Sequence, residues 1–201
     1  MSKSPPTRPS LLIRLRDAQD AEAWSQFVDI YGPLVYGFAR KHGLQDADAA
    51  DLMQDVLATV SKSAGHLAYD RQRGSFRGWL FTVARNRLRR FFKRQKRSTQ
   101  PGSDPAVQSL LDNHPAPPEE KAQWDQEYDT RLLTWAAEQA RRHFRESSWQ
   151  AFWQTTMQGR SAQEVAGALG MSVGAVYVAK SRVVAHLKKL IQQVGETHGQ
   201  S

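Results

Sequence analysis

Ser161-Ala-Gln-Glu-Val-Ala-Gly-Ala-Leu-Gly-Met-Ser-Val-Gly-Ala-Val176 decides how the second half of this chain folds. It reads as a helix-turn-helix. Ser161 can cap a first helix, and Glu164 three residues later closes a capping box. Ala166 is small enough to let a second helix approach. Gly170 stands where a tight turn needs a residue that tolerates positive φ. Val165, Leu169 and Val176 supply the apolar contacts that lock the pair at a steep angle. Ser172 can cap the second helix, which then carries Tyr177, Lys180, Ser181 and Arg182. Such a helix suits the major groove of DNA. A glycine-turned helix pair is also a common packing corner, so the motif by itself does not establish DNA binding.

Composition narrows the choices. The chain has 201 residues, enough for one or two domains, and 28 Lys and Arg against 20 Asp and Glu, a net charge of +8. A basic balance of this size favours a polyanionic partner, through the counterions released on binding. The absence of cysteine excludes disulfides and thiolate zinc sites, and is compatible with a reducing cytosol. The first ten residues lack the apolar core of a signal peptide, and no apolar run approaches a membrane span. A cytoplasmic protein without membrane insertion is expected.

Amphipathic helical periodicity dominates, without sustained strand alternation. The expectation is an all-α chain of two helical domains joined by a flexible linker, the second domain containing the helix-turn-helix. Helices are expected near 10–17, 20–30, 33–42, 46–63 and 75–95, after a disordered tail through Pro9. The stretch 98–118 is rich in proline and polar residues and reads as the linker, with a short helix at 105–112. Further helices are expected near 119–144, 147–158, 162–169 and 173–193. The domains are thus 10–97 and 119–193.

Between Ser75 and Arg97 lies the second strong signal. Phe76, Leu80, Val83, Ala84, Leu88 and Phe91 recur at helical spacing as a core stripe. Arg85, Arg89 and Lys93 follow at i, i+4, i+8 on another face, with Asn86 and Arg90 beside them. From Arg85 to Arg97 there are eight Lys or Arg residues and no acid. A solvated face usually mixes signs, so a one-sign block points to an anionic partner. Trp79, Phe91 and Phe92 are interleaved with it. Aromatics beside cations suit unstacked bases, although core packing explains them equally.

The segment Asp46-Ala-Asp-Ala-Ala-Asp-Leu-Met-Gln-Asp-Val-Leu-Ala-Thr-Val60 is also amphipathic. Ala49, Met53, Val56, Leu57 and Val60 are expected in the core, with Asp48, Asp51 and Asp55 opposite and Gln54 flanking them. Asp46 or Asp48 can cap the helix. A helical metal site usually draws ligands from a second helix, often through a Glu-x-x-His pair, which is missing here. No metal or other cofactor is expected. Gln54 and Asp55, one or two turns in, fit a polar docking surface for a protein.

Together these features resemble an extracytoplasmic-function (ECF) sigma factor of bacterial RNA polymerase, over about residues 10–192. Phe27-Val-Asp-Ile-Tyr-Gly-Pro-Leu-Val-Tyr36 resembles the family's opening pattern. Asp48-Ala-Ala-Asp-Leu-Met-Gln-Asp-Val56 is similar to its most specific signature, on a helix that docks on core polymerase. The resemblance implies that Asp48, Asp51, Leu52, Gln54 and Asp55 form that contact. Phe76-Arg-Gly-Trp-Leu-Phe-Thr-Val-Ala-Arg-Asn86 resembles the element that reads and melts the downstream promoter. It implies that Trp79, Arg85, Asn86, Arg89, Arg90 and Lys93 contact the melted strand. Arg90 stands where family members often have Asp.

The helix-turn-helix then reads the upstream element through Ser172, Tyr177, Lys180, Ser181 and Arg182. Its Ala175-Val-Tyr177 is closer to planctomycete-type members. The implied partners are core RNA polymerase, promoter DNA as duplex and melted strand, and the anti-sigma factor common in the family. The implied role is a specificity subunit without catalytic residues. A dimeric helix-turn-helix regulator lacks an evident dimer helix here. A nuclease-like enzyme finds no support in the six scattered histidines. A purely protein-binding adaptor leaves the one-sign ladder unexplained.

Overall fold

The computed structural model describes residues 10–65, 75–98 and 115–194. Among these every regular element is an α-helix, and the chain divides into two compact units, one of Leu11–Arg131 and one that begins, within the described helices, at Leu132. The expected helix at 105–112 lies outside the described residues.

The first unit starts with α1 (Leu11–Arg14) and α2 (Ala21–Lys41). Asp20 caps α2 by accepting from the Ala23 amide at 2.9 Å, and Arg14 donates to both Asp20 carboxylate oxygens at 2.8 Å. Pairing with Arg14 and the Ala23 amide hold that carboxyl below its usual range. The sequence reading breaks this segment into 20–30 and 33–42 at Pro33; the structure has one helix running through it. Pro33 removes one backbone bond to Asp29, but both residues are exposed, where water can serve the freed carbonyl. Ile30, Tyr31, Leu34 and Val35, on either side, are buried and hold the helix in place.

α3 (Asp46–Ala64) follows a short turn. Its N-cap is Gln45, without a side-chain cap bond. Asp46 is therefore not the cap. It accepts from Tyr36 Oη at 3.1 Å and pairs with Arg40 at 3.1 Å, tying the end of α2 to the start of α3. α4 (Phe76–Ser98) packs on α3, completing a core of large side chains. At its centre the Tyr31 ring lies 4.7 Å from Phe27, 5.6 Å from Phe76 and 5.5 Å from Tyr128.

Tyr128 belongs to α5 (Pro118–His143), and its presence here shifts the expected division of the chain. The sequence reading places all of 119–193 in the second domain. In the structure the first part of α5, to Arg131, belongs to the first unit. Trp124 packs 5.4 Å from Phe38 and 5.6 Å from Phe81, and Arg77 stands 4.9 Å over the Tyr128 ring while pairing with Asp125 at 2.9 Å. Two buried aromatics one helical turn apart outweigh the polar character that suggested a domain boundary.

The second unit comprises the rest of α5, α6 (Glu146–Thr156), α7 (Ala162–Leu169) and α8 (Val173–Val194). α7 and α8 form the expected helix-turn-helix, bent by 101°. Ser161 and Glu164 make the full capping box, Gly170 takes φ 62° and ψ 33°, and Ser172 Oγ accepts from the Ala175 amide at 3.1 Å. Val165, Ala166, Val176 and Ala179 close a small core with Ala151 of α6. The His143 and His186 rings stack at 4.2 Å, joining the end of α5 to α8. Burial, with His143 and Lys189 nearby, pushes the His186 pKa down. Among the described residues no single helix is long and apolar enough to cross a membrane.

The turn yields a direct check. Gly170→Val places a β-branched residue at positive φ and should cost about 1–2 kcal/mol. Gly167→Ala, inside α7 with open space around its added methyl, should stabilise by about 0.5–1 kcal/mol. Thermal melts of the two variants should move in opposite directions; equal melting would contradict the turn geometry.

Candidate nucleic-acid and protein interface

The acidic face of α3 forms largely as expected. Asp51, Gln54 and Asp55 are exposed and Asp48 is half-buried. Leu52, expected in the contact set, is only 5% exposed. The buried stripe is Ala49, Leu52, Val56 and Val60, at i, i+3, i+7, i+11, while Met53 and Leu57 sit half-buried at its edge. Packing of α3 between α2 and α4 turns the helix by a fraction of a residue from the expected core face, keeping Ala49, Val56 and Val60 inside and exchanging Met53 and Leu57 for Leu52. Met53 and Leu57, rather than Leu52, are the apolar side chains within reach of a partner. Among the described residues no three His, Cys, Asp or Glu side chains come close enough to hold a metal ion.

Asp55 is linked to α4. Its carboxylate lies 3.6 Å from Arg87 Nη1, while Arg87 Nη2 donates to Thr59 Oγ1 at 2.9 Å. The acidic face and the basic helix are thus held in fixed register by one guanidinium.

On α4 the structure corrects the ladder. Arg85 is 8% exposed, and its Nε lies 3.3 Å from Glu120 Oε2 of α5. It is not presented to a nucleic acid. Phe81, Leu88 and Phe92 are buried, and Arg85 falls in line with them at helical spacing. Phe91, expected in the core, is half-buried beside Phe92, which is the inward-facing ring. The exposed stripe is instead Asn86, Arg90 and Lys93. Arg89 is half-buried at its edge, donating to Asn86 Oδ1 at 3.4 Å. Trp79 is half-buried, its ring 5.4 Å from Phe76.

Glu120 is the residue that the sequence reading misses. Its carboxylate sits between Arg85 and His42, the latter at 3.6 Å. Burial pushes its pKa up, but hydrogen bonding to His42 and the charges of Arg85 and His42 outweigh burial and hold it below the usual glutamate range. Glu120, Trp124 and Tyr128 recur at i, i+4, i+8, a stripe visible in the sequence. Nothing local to that stripe says what it covers.

In the helix-turn-helix, Ser172, Tyr177, Ser181 and Arg182 are exposed and Lys180 is half-buried. They share the leading half of α8. Ser172 uses its hydroxyl for the cap. Val173 and Val178, absent from the expected set, are exposed on the same stretch.

Residues 27–98 match the Sigma-70 region 2 family. Over 78 residues the chain is 40% identical to the ECF RNA polymerase sigma factor RpoE of Cereibacter sphaeroides, an alignment covering 39% of this chain and 42% of that protein. The match thus spans less than half of that relative. Two solved structures are similar at 20% identity and a TM-score of 0.34. One is of CnrH in complex with the cytosolic domain of CnrY, covering 90% of this chain and 96% of that one; the other is an RsbN–BldN complex, covering 89% and 98%.

The Glu120 site predicts a pH effect. A carboxylate with a depressed pKa in the fold stabilises above its unfolded pKa, and that stability is lost as pH falls through the folded value. Glu120→Gln should therefore lower the melting temperature at neutral pH. The gap to the parent protein should close as acid protonates Glu120, in melts run from pH 7 to pH 3. A gap independent of pH would contradict the ion pair.

Proposed function

We propose that this chain is an ECF-type sigma factor, a cytoplasmic specificity subunit that docks on bacterial core RNA polymerase and directs it to promoters. One observation carries the reading: the region matching Sigma-70 region 2 holds an exposed acidic face and an exposed one-sign stripe, fixed in register by Arg87. The Ala175-Val-Tyr177 opening of α8 supports a planctomycete-type variant.

The mechanism is positional, and the chain contributes no catalytic group. Asp48, Asp51, Gln54 and Asp55, with Met53 and Leu57 beside them, meet the polymerase. α8 lies in the major groove of the upstream element, where Lys180 and Arg182 fix register through phosphates and base edges. Asn86, Arg89, Arg90 and Lys93 then hold the separated strand, with Trp79 as a stacking surface. Unstacking costs a few kcal/mol per base, offset by about 1–3 kcal/mol per base stacked on an aromatic ring. Both contacts belong to one chain, so the second is made intramolecularly, at high effective concentration. An anti-sigma partner comes with this reading, as is common in the family.

The test is co-migration of the full chain with core polymerase lacking any sigma subunit. A stoichiometric complex is expected, lost on changing Gln54 and Asp55 to Ala while helical content is kept. Absence of a complex, with tight duplex binding retained, would indicate a conventional helix-turn-helix regulator instead.

A further inference from the structure

The leading face of α8 carries apolar side chains that folding leaves uncovered. Val173 is 37% exposed, Tyr177 59% and Val178 51%. The core side of the helix is Val176, Ala179, Val183 and Leu187, so these three project from another side. Apolar side chains gain nothing from facing water, and three within six residues form a patch rather than scattered exceptions.

Gly174 stands among them, three and four residues before Tyr177 and Val178 and thus on their face. Gly174 is the second residue of α8, in its first turn, where alanine is still the better helix former. Here no packing contact requires it, because a methyl group at Gly174 would meet nothing within 4 Å. The glycine instead leaves a flat place where another molecule can approach the helix closely.

Polar groups are sparse on this turn: Ser172 Oγ already accepts from the Ala175 amide, Gly174 has no side chain, and the Tyr177 hydroxyl stands at the far tip of its ring. The cationic groups Lys180 and Arg182 come later along the helix. If α8 lies in a major groove, its first turns can read base edges chiefly by apolar contact. One apolar group marks a base pair in that groove, the C5-methyl of thymine.

We propose that Val173, Tyr177 and Val178 read thymine methyl groups, with Gly174 permitting the close approach. The duplex element bound by α8 then carries thymine at neighbouring positions. This inference rests on the DNA-binding reading of α8 and names its specificity-determining residues. Lys180 and Arg182 set position and general affinity, whereas the apolar trio sets sequence choice.

Uracil provides the test, since it keeps every hydrogen-bonding group of thymine and lacks only the methyl. Duplexes selected from a random pool by the full chain with core polymerase supply the bound element. Each thymine in it is then replaced by uracil, and affinity is measured. Losing a contacted methyl should weaken binding about 4-fold. Val178→Ala, an exposed change that spares the core, should make one of those positions indifferent to the swap.

Uniform affinity across all uracil duplexes, with a scrambled element still rejected, would overturn the methyl reading while leaving α8 a DNA reader. Absence of any selected duplex would overturn both. A third result would assign the patch to a protein partner: Val178→Asp weakening the polymerase complex with the thymine-to-uracil ratio unchanged.

Discussion

The packing of Tyr31 against Phe27, Phe76 and Tyr128 is the contact on which the first unit depends. It brings α2, α4 and the start of α5 to one point. Aromatic pairs at these separations add about 0.5–1.5 kcal/mol beyond the area they bury. Their geometric consequence matters more here. Once Phe76 is fixed at the start of α4, Leu80, Ala84 and Leu88 follow inward, and the rotation of the helix is set. That rotation turns Asn86, Arg90 and Lys93 outward and sends Arg85 inward. A buried guanidinium needs a partner, and Glu120 supplies it from α5. The aromatic contact and the ion pair are therefore parts of one arrangement.

The second unit is held differently. Its helix-turn-helix core is small, made largely of alanine and valine, and its angle is fixed by polar and backbone devices at the helix ends. Capping groups satisfy amides that a short helix cannot. The left-handed Gly170 reverses the chain within a few residues. Such a rigid corner leaves the outer face of α8 free of structural duty. That freedom is why exposed side chains there are the ones proposed to read DNA.

These differences also explain what could be read from the sequence. The helix-turn-helix was fully legible, because capping box, turn glycine and apolar spacing are all local. The acidic and basic helices were legible as elements, with bounds close to those observed. Their exact rotation was less so. Leu52 and Met53 are adjacent apolar residues, and only packing against two neighbouring helices chooses between them. Phe91 and Phe92 pose the same choice on α4, and settling it moves Arg85 into the core. Glu120 lies 35 residues from Arg85, so no local pattern could announce their pairing. Pro33 misled in the opposite direction, since a local helix breaker was overridden by buried residues on both sides.

The central claim is that the core sets which cations of α4 meet nucleic acid. It is tested most directly by comparing Arg85→Ala with the double change Arg90→Ala and Lys93→Ala. Melting temperature and affinity for a single-stranded oligonucleotide over a salt series are the two readouts. The double variant should keep its melting temperature, bind more weakly, and lose about 0.7 of salt slope for each phosphate contact removed. Arg85→Ala should melt lower, because Glu120 then keeps only His42 as a partner among the described residues, and keep its salt slope. The account would be contradicted if Arg85→Ala flattened the salt dependence at unchanged stability.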